Sequence, residues 1–248
     1  MSVLVTGASV GFGAAIVKLL VEKNYKVIAL ARREDKLKEL QNECGKNCKI
    51  LALDVRDAQK IKDEIDKFDD DFRNVDILIN NAGLALGLCS ADKADIKDWE
   101  EMIEINVLAL VRLSRIFLPS MVENKNGHII NIGSIAGSYP YPGGNVYGAT
   151  KAFVKQFSLN LRADLFDKNI RVTDIEPGLS GGSEFSLVRF KGDKKASDKV
   201  YENANPLLPQ DIAEAVFFAI SMPKHVNINR IEMMPTTQAP SALNVFRG

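Results

Sequence analysis

Val3-Leu4-Val5-Thr6-Gly7-Ala8-Ser9-Val10-Gly11-Phe12-Gly13 opens the chain with a short apolar run that ends in a glycine-rich loop. Residues 12–22 then set Ile16, Leu19 and Leu20 at helical spacing. Strand, glycine loop and helix in that order are the first unit of a parallel α/β sheet. Glycine permits tight turns and lets a ligand come close to the backbone. The start of the following helix offers free N–H groups and a partial positive charge to a pyrophosphate. The spacing is Gly-x-x-x-Gly-x-Gly rather than Gly-x-Gly-x-x-Gly, and no Gly-Lys-Ser/Thr follows, so the loop is not a P-loop. A plain turn remains the simple alternative. The position directly after the opening strand favours a cofactor.

Working outward, the same alternation continues. Apolar runs at 26–31, 49–54, 75–80, 127–134 and 170–175 read as strands, with a last one at 227–234. Helical periods occupy the stretch through Glu43, then 57–69, 96–123, 145–168 and 210–221. This pattern predicts a doubly wound parallel sheet covered on both faces, a Rossmann-type α/β fold. No linker or repeat divides residues 1–248, so a single domain is expected. The segment 178–208 breaks the rhythm, is polar, and reads as an irregular cover over a binding site.

Composition sets outer bounds. With 248 residues, 46% hydrophobic and 26% charged, the chain has the makings of a sizeable core. Thirty-two Lys+Arg balance thirty-two Asp+Glu, so there is no global attraction for nucleic acid or an anionic membrane. No apolar stretch reaches the roughly 18 residues of a spanning helix, and the start does not read as a signal peptide. A cytoplasmic protein without nucleic-acid or membrane partners is expected. Cys44, Cys48 and Cys89 have no nearby histidine, which favours reduced thiols over a metal site.

The end of the second strand selects between cofactors. An NAD site would carry an acid there for the ribose 2′-hydroxyl. Ala31-Arg32-Arg33 stands in its place. Guanidinium groups pair with a 2′-phosphate, so NADP(H) is expected over NAD(H). The alternative is that Arg32 and Arg33 merely begin a solvated helix with Glu34 and Asp35.

Asn145-Val146-Tyr147-Gly148-Ala149-Thr150-Lys151 opens a helix, with Tyr147 and Lys151 one turn apart on one face. Ser134 follows the fifth strand, at the sheet edge where such folds bind ligands. These residue types suit carbonyl reduction and alcohol oxidation. A phenol can donate or take the proton, but its ordinary pKa is about 10. An ammonium about 4 Å away supplies on the order of 4 kcal/mol, roughly what a base near neutrality requires. A phenol made acidic by Lys151 is therefore expected, with Ser134 orienting the substrate oxygen.

Taken together, the glycine loop, Asn80-Asn81-Ala82-Gly83, Ser134, Tyr147 with Lys151 and Pro177-Gly178 resemble the short-chain dehydrogenase/reductase family along nearly the whole chain. The resemblance implies a Ser–Tyr–Lys site and a nicotinamide cofactor held by Gly7, Ser9, Gly11, Phe12, Gly13, Arg32, Arg33, Asp54, Val55, Asn81, Ala82, Gly83, Tyr147, Lys151, Pro177 and Gly178. It implies Asp54 and Val55 at the adenine and Asn81 at the adenosine ribose. It also implies Asn106 as a fourth catalytic position that holds a water; a helix-interior amide satisfied by backbone is the alternative. A tetramer built through two long helices and the final strand is the family's usual assembly.

Asn80 to Gly87, Gly143 to Phe153, Glu176-Pro177-Gly178-Leu179, Glu184-Phe185-Ser186 and Val188 to Gly192 look like the NADP-dependent 3-hydroxy acid dehydrogenases, as does Asn227-Ile228-Asn229. That subgroup includes serine and L-allo-threonine dehydrogenases, also described as malonic semialdehyde reductases. Ser180 departs from it, standing where the subgroup carries an apolar residue. A hydroxy acid or semialdehyde acid needs a cation in the site, and Arg189 or Lys191 in the covering segment are placed to provide one. Lys194, Lys195 and Lys199 read as solvent-facing, His128 and His225 as structural. A reductase of uncharged ketones and aldehydes, or a noncatalytic NADPH-binding sensor, stay as competing readings.

Overall fold

The computed structural model describes residues 1–240; the last residues of the expected 1–248 domain lie outside them. The apolar runs become strands because both their faces are covered. They are β1 (Ser2–Thr6), β2 (Lys26–Ala31), β3 (Cys48–Ala52), β4 (Val75–Asn80), β5 (Gly127–Ile132), β6 (Ile170–Pro177) and β7 (Arg230–Met233). All pair in parallel, in the order β3-β2-β1-β4-β5-β6-β7. The order reverses between β1 and β4, which opens a crevice at their carboxyl ends.

The helices are α1 (Gly11–Glu22), α2 (Glu34–Cys44), α3 (Ala58–Ile65), α4 (Asp70–Arg73), α5 (Ile96–Ile103), α6 (Leu110–Glu123), α7 (Asn145–Leu165), α8 (Phe185–Arg189), α9 (Lys194–Lys199) and α10 (Pro209–Ser221). Strand alternation divides the core in two. Val3 and Val5 of β1 face Ile16 and Leu20 of α1, Leu37 of α2 and Val216 of α10. Leu4, between them, faces Ile61 of α3 and Leu113 and Phe117 of α6. Helix ends are secured locally. Asp57 accepts from the Lys60 amide at the start of α3 (3.2 Å). Arg171 on β6 donates to the Ala219 and Ile220 carbonyls at the end of α10, at 3.1 and 3.2 Å.

Several expectations change in detail. The helix expected at 57–69 is α3, which ends at Ile65, and the separate short helix α4 follows at Asp70–Arg73. The strand expected to reach Asp54 stops at Ala52, because Arg56 folds back on the Asp54 carboxylate. The helix expected at 96–123 runs through wider π-type turns at Glu104–Ala109, a distortion that often marks functional positions. At 28 residues it is also long and apolar enough to cross a bilayer by length and composition, contrary to the sequence expectation. Leu113, Phe117 and Met121 on it are buried against the sheet.

The segment 178–208 is not irregular throughout. It folds α8 and α9, and its ends are tied by Gly181 N–H to Leu207 O (2.8 Å) and Leu207 N–H to Leu179 O (2.9 Å). The final strand begins at Arg230 rather than 227 because the Asn227 side chain takes the place of backbone, bonding Val172 N–H (2.7 Å) and C=O (3.0 Å). His128 is buried with Nε2 2.8 Å from Thr173 Oγ1, as a structural histidine would be.

Candidate active site

A cavity of about 830 Å³ follows the crevice from the glycine loop to the cover formed by α8. Its floor is built at the switch point. Thr6 Oγ1 accepts the Asn81 and Ala82 amides at 3.0 and 2.9 Å, and Asn81 Nδ2 returns to the Thr6 carbonyl at 2.8 Å. These bonds stitch β1 to the chain leaving β4. Gly7 turns with φ +65°, and a Cβ there would stand 2.9 Å from Ala82 Cα, so only glycine fits. α1 starts at Gly11 without a side-chain cap and without acids in its first turn. Its free amides and positive end are left for an anion.

At the end of β2, Arg33 donates to Ser9 Oγ (3.2 Å) and pairs with Glu184 on the covering segment (2.8 Å). Arg32 is exposed at the same rim. Asp54 lines the cavity, but its carboxylate is gripped by Arg56 at 2.9 and 2.6 Å, which holds it below the usual carboxylate range. A uncapped helix start, a glycine cradle and two guanidinium groups at the far rim suit a dinucleotide with an extra phosphate.

At the other end, Ser134 follows β5 and its Oγ accepts the Ala136 amide (3.1 Å). Tyr147 and Lys151 rise from the first turns of α7 and are buried. Lys151 Nζ donates to the Ile132 carbonyl (2.7 Å) and lies 5.9 Å from the centre of the Tyr147 ring. Phe185 of α8 covers that ring at 5.7 Å. Burial pushes the phenol up to about 12, while Ser134 and Arg189 pull it down and Tyr141 opposes them. Burial likewise pushes Lys151 down to about 8, against the pull of Asp174. The acidic phenol expected from Lys151 is thus not what this arrangement gives: the ammonium is directed at a carbonyl, and desolvation dominates both groups.

The model of the short chain dehydrogenase family matches residues 1–186. The chain belongs to that family. A family member from Escherichia coli, the NADP-dependent 3-hydroxy acid dehydrogenase YdfG, is 56% identical over 247 residues and covers all of both chains. Serine 3-dehydrogenase of Rhizobium radiobacter is 44% identical, covering 99% of this chain and 98% of its own. Among solved structures, the closed form of a serine dehydrogenase complexed with NADP+ superimposes with a TM-score of 0.98 at 55% identity over the full length of both. The fold is the Rossmann-type sheet of this short-chain dehydrogenase family, and the chain is an oxidoreductase.

Against that fold, most sequence-derived site residues of this short-chain dehydrogenase line one cavity: Gly7, Ser9, Gly11, Phe12, Arg32, Arg33, Asp54, Val55, Asn81, Ala82, Gly83, Ser134, Tyr147, Lys151, Pro177, Gly178 and Arg189. Two stand a layer behind it. A Cβ on Gly13 would lie 2.3 Å from the Gly7 carbonyl, so this glycine serves loop–helix packing instead of touching a ligand. Asn106 is buried in the π-type turns, its Oδ1 accepting Leu84 N–H (2.9 Å) and its Nδ2 donating to Leu84 C=O (2.8 Å) and Thr150 Oγ1 (3.1 Å). Its amide is satisfied mainly by backbone, the alternative left open from the sequence. Gly83 separates it from Lys151: a Cβ there would meet Asn106 Oδ1 at 3.3 Å and Lys151 Nζ at 3.5 Å.

In the cover, Arg189 turns inward and Lys191 does not. Arg189 donates to the Gly87 carbonyl (3.1 Å) and Tyr141 hydroxyl (2.7 Å), its guanidinium 5.6 Å from the Tyr147 ring centre. Lys191 pairs with Asp98 at 2.9 Å on the surface. Ser180 folds its hydroxyl onto the Gly178 carbonyl (3.0 Å). Sequence reasoning overlooked Tyr141 and Glu184 as site residues. An aromatic inside Pro140-Tyr141-Pro142-Gly143-Gly144, just before the Tyr-x-x-x-Lys helix, was a usable signal; Glu184 was marked only by its place in the Glu184-Phe185-Ser186 resemblance.

Proposed function

We propose that this enzyme interconverts a 3-hydroxy acid and its 3-oxo acid with NADP(H), using Tyr147 as general acid and base. NADP, when bound, accepts or supplies the hydride. The residues of the chain do the rest. Arg32, Arg33 and Ser9 receive the 2′-phosphate end, and the glycine loop and start of α1 receive the pyrophosphate. Asp54 and Val55 flank the adenine. Ser134 orients the reacting oxygen, Tyr147 passes its proton, and Lys151 holds a positive charge in the same buried site, 5.9 Å from the centre of the Tyr147 ring. Asn106, through Leu84 and Thr150, positions that group.

The observation that carries the acid substrate is Arg189: a cation inside the cavity, 5.6 Å from the Tyr147 ring, on a cover that also places Phe185 against that ring. Full-length similarity to relatives named for 3-hydroxy acids and serine supports the same class. The exposed Phe153 ring on α7, stacked on the half-buried Phe157, supports a seam between subunits, in line with a tetramer.

The deciding experiment is turnover of a panel of 3-hydroxy acids against neutral secondary alcohols, with NADP+ and NAD+. Acids with NADP+ are expected to dominate kcat/KM. Equal use of neutral alcohols would make the enzyme a general carbonyl reductase. Tyr147→Phe is expected to lose about 10²-fold or more in turnover while keeping NADPH affinity; full turnover would remove the acid–base role.

A further inference from the structure

Asp174 and Glu176 stand two residues apart on β6 and share the sheet face opposite Ile175. Both are sealed from solvent, Asp174 at 1% exposure and Glu176 at none. As carboxylates, none of their four oxygens finds a donor among the described residues; with a proton on one of the two groups, they bond each other. Arg230 Nε approaches Glu176 Oε1 only to 3.4 Å, out of line for a hydrogen bond. Buried carboxylates left this way are rare, because a desolvated anion is costly, and they call for a cause.

The location supplies one. Lys151 Nζ donates to the Ile132 carbonyl, and the next residue, Gly133, lies against Asp174: a Cβ on it would stand 2.5 Å from Asp174 Oδ1. The ammonium and the carboxyl therefore flank one peptide unit at the end of β5. Lys151 and Lys155 face the acids from α7, and Arg230 and Glu232 from β7. Lys155 is occupied by Ser138 Oγ (2.7 Å), and Glu232 by Tyr139 (2.9 Å) and Arg230 (2.9 Å). Asp174 is thus left with Lys151 as its cation and Glu176 as its neighbouring acid. Two adjoining buried carboxyls do not both ionise, so the pair holds a proton between them.

We propose that Asp174 is a positioning residue for the reaction: sharing one proton with Glu176, it provides the buried counter-charge that keeps Lys151 cationic next to Tyr147. The proposal rests on the roles of Tyr147 and Lys151 given above. Glu176 sets how much of the negative charge resides on Asp174. Burial alone drives Lys151 toward neutrality, and Asp174 is the group that opposes it.

The test is the pH dependence of kcat in the full-length enzyme, with NADPH affinity measured by fluorescence titration at each pH. In Asp174→Asn the alkaline limb is expected to move down by about one pH unit, a loss of about fivefold at pH 8, approaching about tenfold above pH 9, with less than about twofold at pH 6. In Glu176→Gln the charge settles on Asp174, and the limb is expected to move up. Opposite displacements cannot come from a merely structural role. An unchanged limb in both variants, or the same displacement in both, overturns the proposal. If Asp174→Asn does not fold, Glu176→Gln decides alone: an upward move supports it and no move overturns it. Full turnover of Tyr147→Phe would instead remove the underlying reading, so the two failures are distinguishable.

Discussion

Arg33 and Glu184 close the cofactor end of the cavity with a two-pronged ion pair: NH1 reaches Oε1 at 3.2 Å and NH2 reaches Oε2 at 2.8 Å. Arg33 comes from the end of β2, Glu184 from the residue before α8, so the pair ties the phosphate rim to the cover. Both side chains are more than 40% exposed, which makes the pair weak and exchangeable.

A 2′-phosphate competes with Glu184 for the same guanidinium. Arg33→Ala is expected to weaken NADP(H) binding by about tenfold or more, the worth of a hydrogen bond to a charged group, with NAD(H) binding almost unaffected. Glu184→Gln frees Arg33 and is expected to tighten NADP(H) a few-fold. Fluorescence titration of both cofactors checks this; equal weakening of NADPH and NADH by Arg33→Ala would contradict it.

Lys151 has a cost in stability that depends on pH. The folded group releases its proton near about 8, whereas the unfolded chain holds it to 10.5. Between these values the unfolded state binds more protons, so stability rises with pH; below about 8 the whole penalty persists. That penalty is about 3 kcal/mol, offset by about 1 kcal/mol for the bond to the Ile132 carbonyl. Lys151→Met removes that penalty but leaves Asp174 without its cation, so it is expected to be inactive, and the stability gap, variant minus parent, is expected to shrink from pH 7 to pH 10 as the parent sheds its penalty. Urea unfolding at both pH values measures it. A gap that widens with pH would refute the assignment.

Arg189 reads the carboxylate of the substrate in the proposed function. Arg189→Ala is expected to raise KM for a 3-hydroxy acid by about tenfold or more and to leave an uncharged ketone within about twofold. Arg189→Lys keeps the charge but loses the fork and the stacking on Tyr141, so intermediate values are expected. Steady-state kinetics on both substrates decides it. Equal increases would mean that Arg189 acts only by holding Tyr141 and Gly87 in place.

Much of this was legible in the residues because it depends on local periodicity. Val3, Leu4 and Val5 announce a strand covered on both faces, and Tyr147 and Lys151 share a helix face wherever that helix packs. The glycine loop carries its own conformational requirement, met at Gly7 by a positive φ. Other features had no local mark. The π-type turns at Glu104–Ala109 accompany bonds from Asn106 to Leu84, 22 residues away, and no pattern within a helix encodes that. The inward turn of Arg189 and the outward turn of Lys191 depend on Gly87, Tyr141 and Asp98, which only folding brings near.

The sequence by itself determined the order of strands and helices, the glycine cradle, and the Ser134, Tyr147 and Lys151 set, because backbone sterics and hydrophobic alternation act over a few residues. Only the tertiary structure decided the charge state of that set. A pKa depends on desolvation and on every charge within several ångströms, and those neighbours come from β5, β6 and α8. Packing them around Tyr147 and Lys151 made burial the larger effect, and turned the ammonium onto the Ile132 carbonyl, one residue before the Gly133 that lies against Asp174.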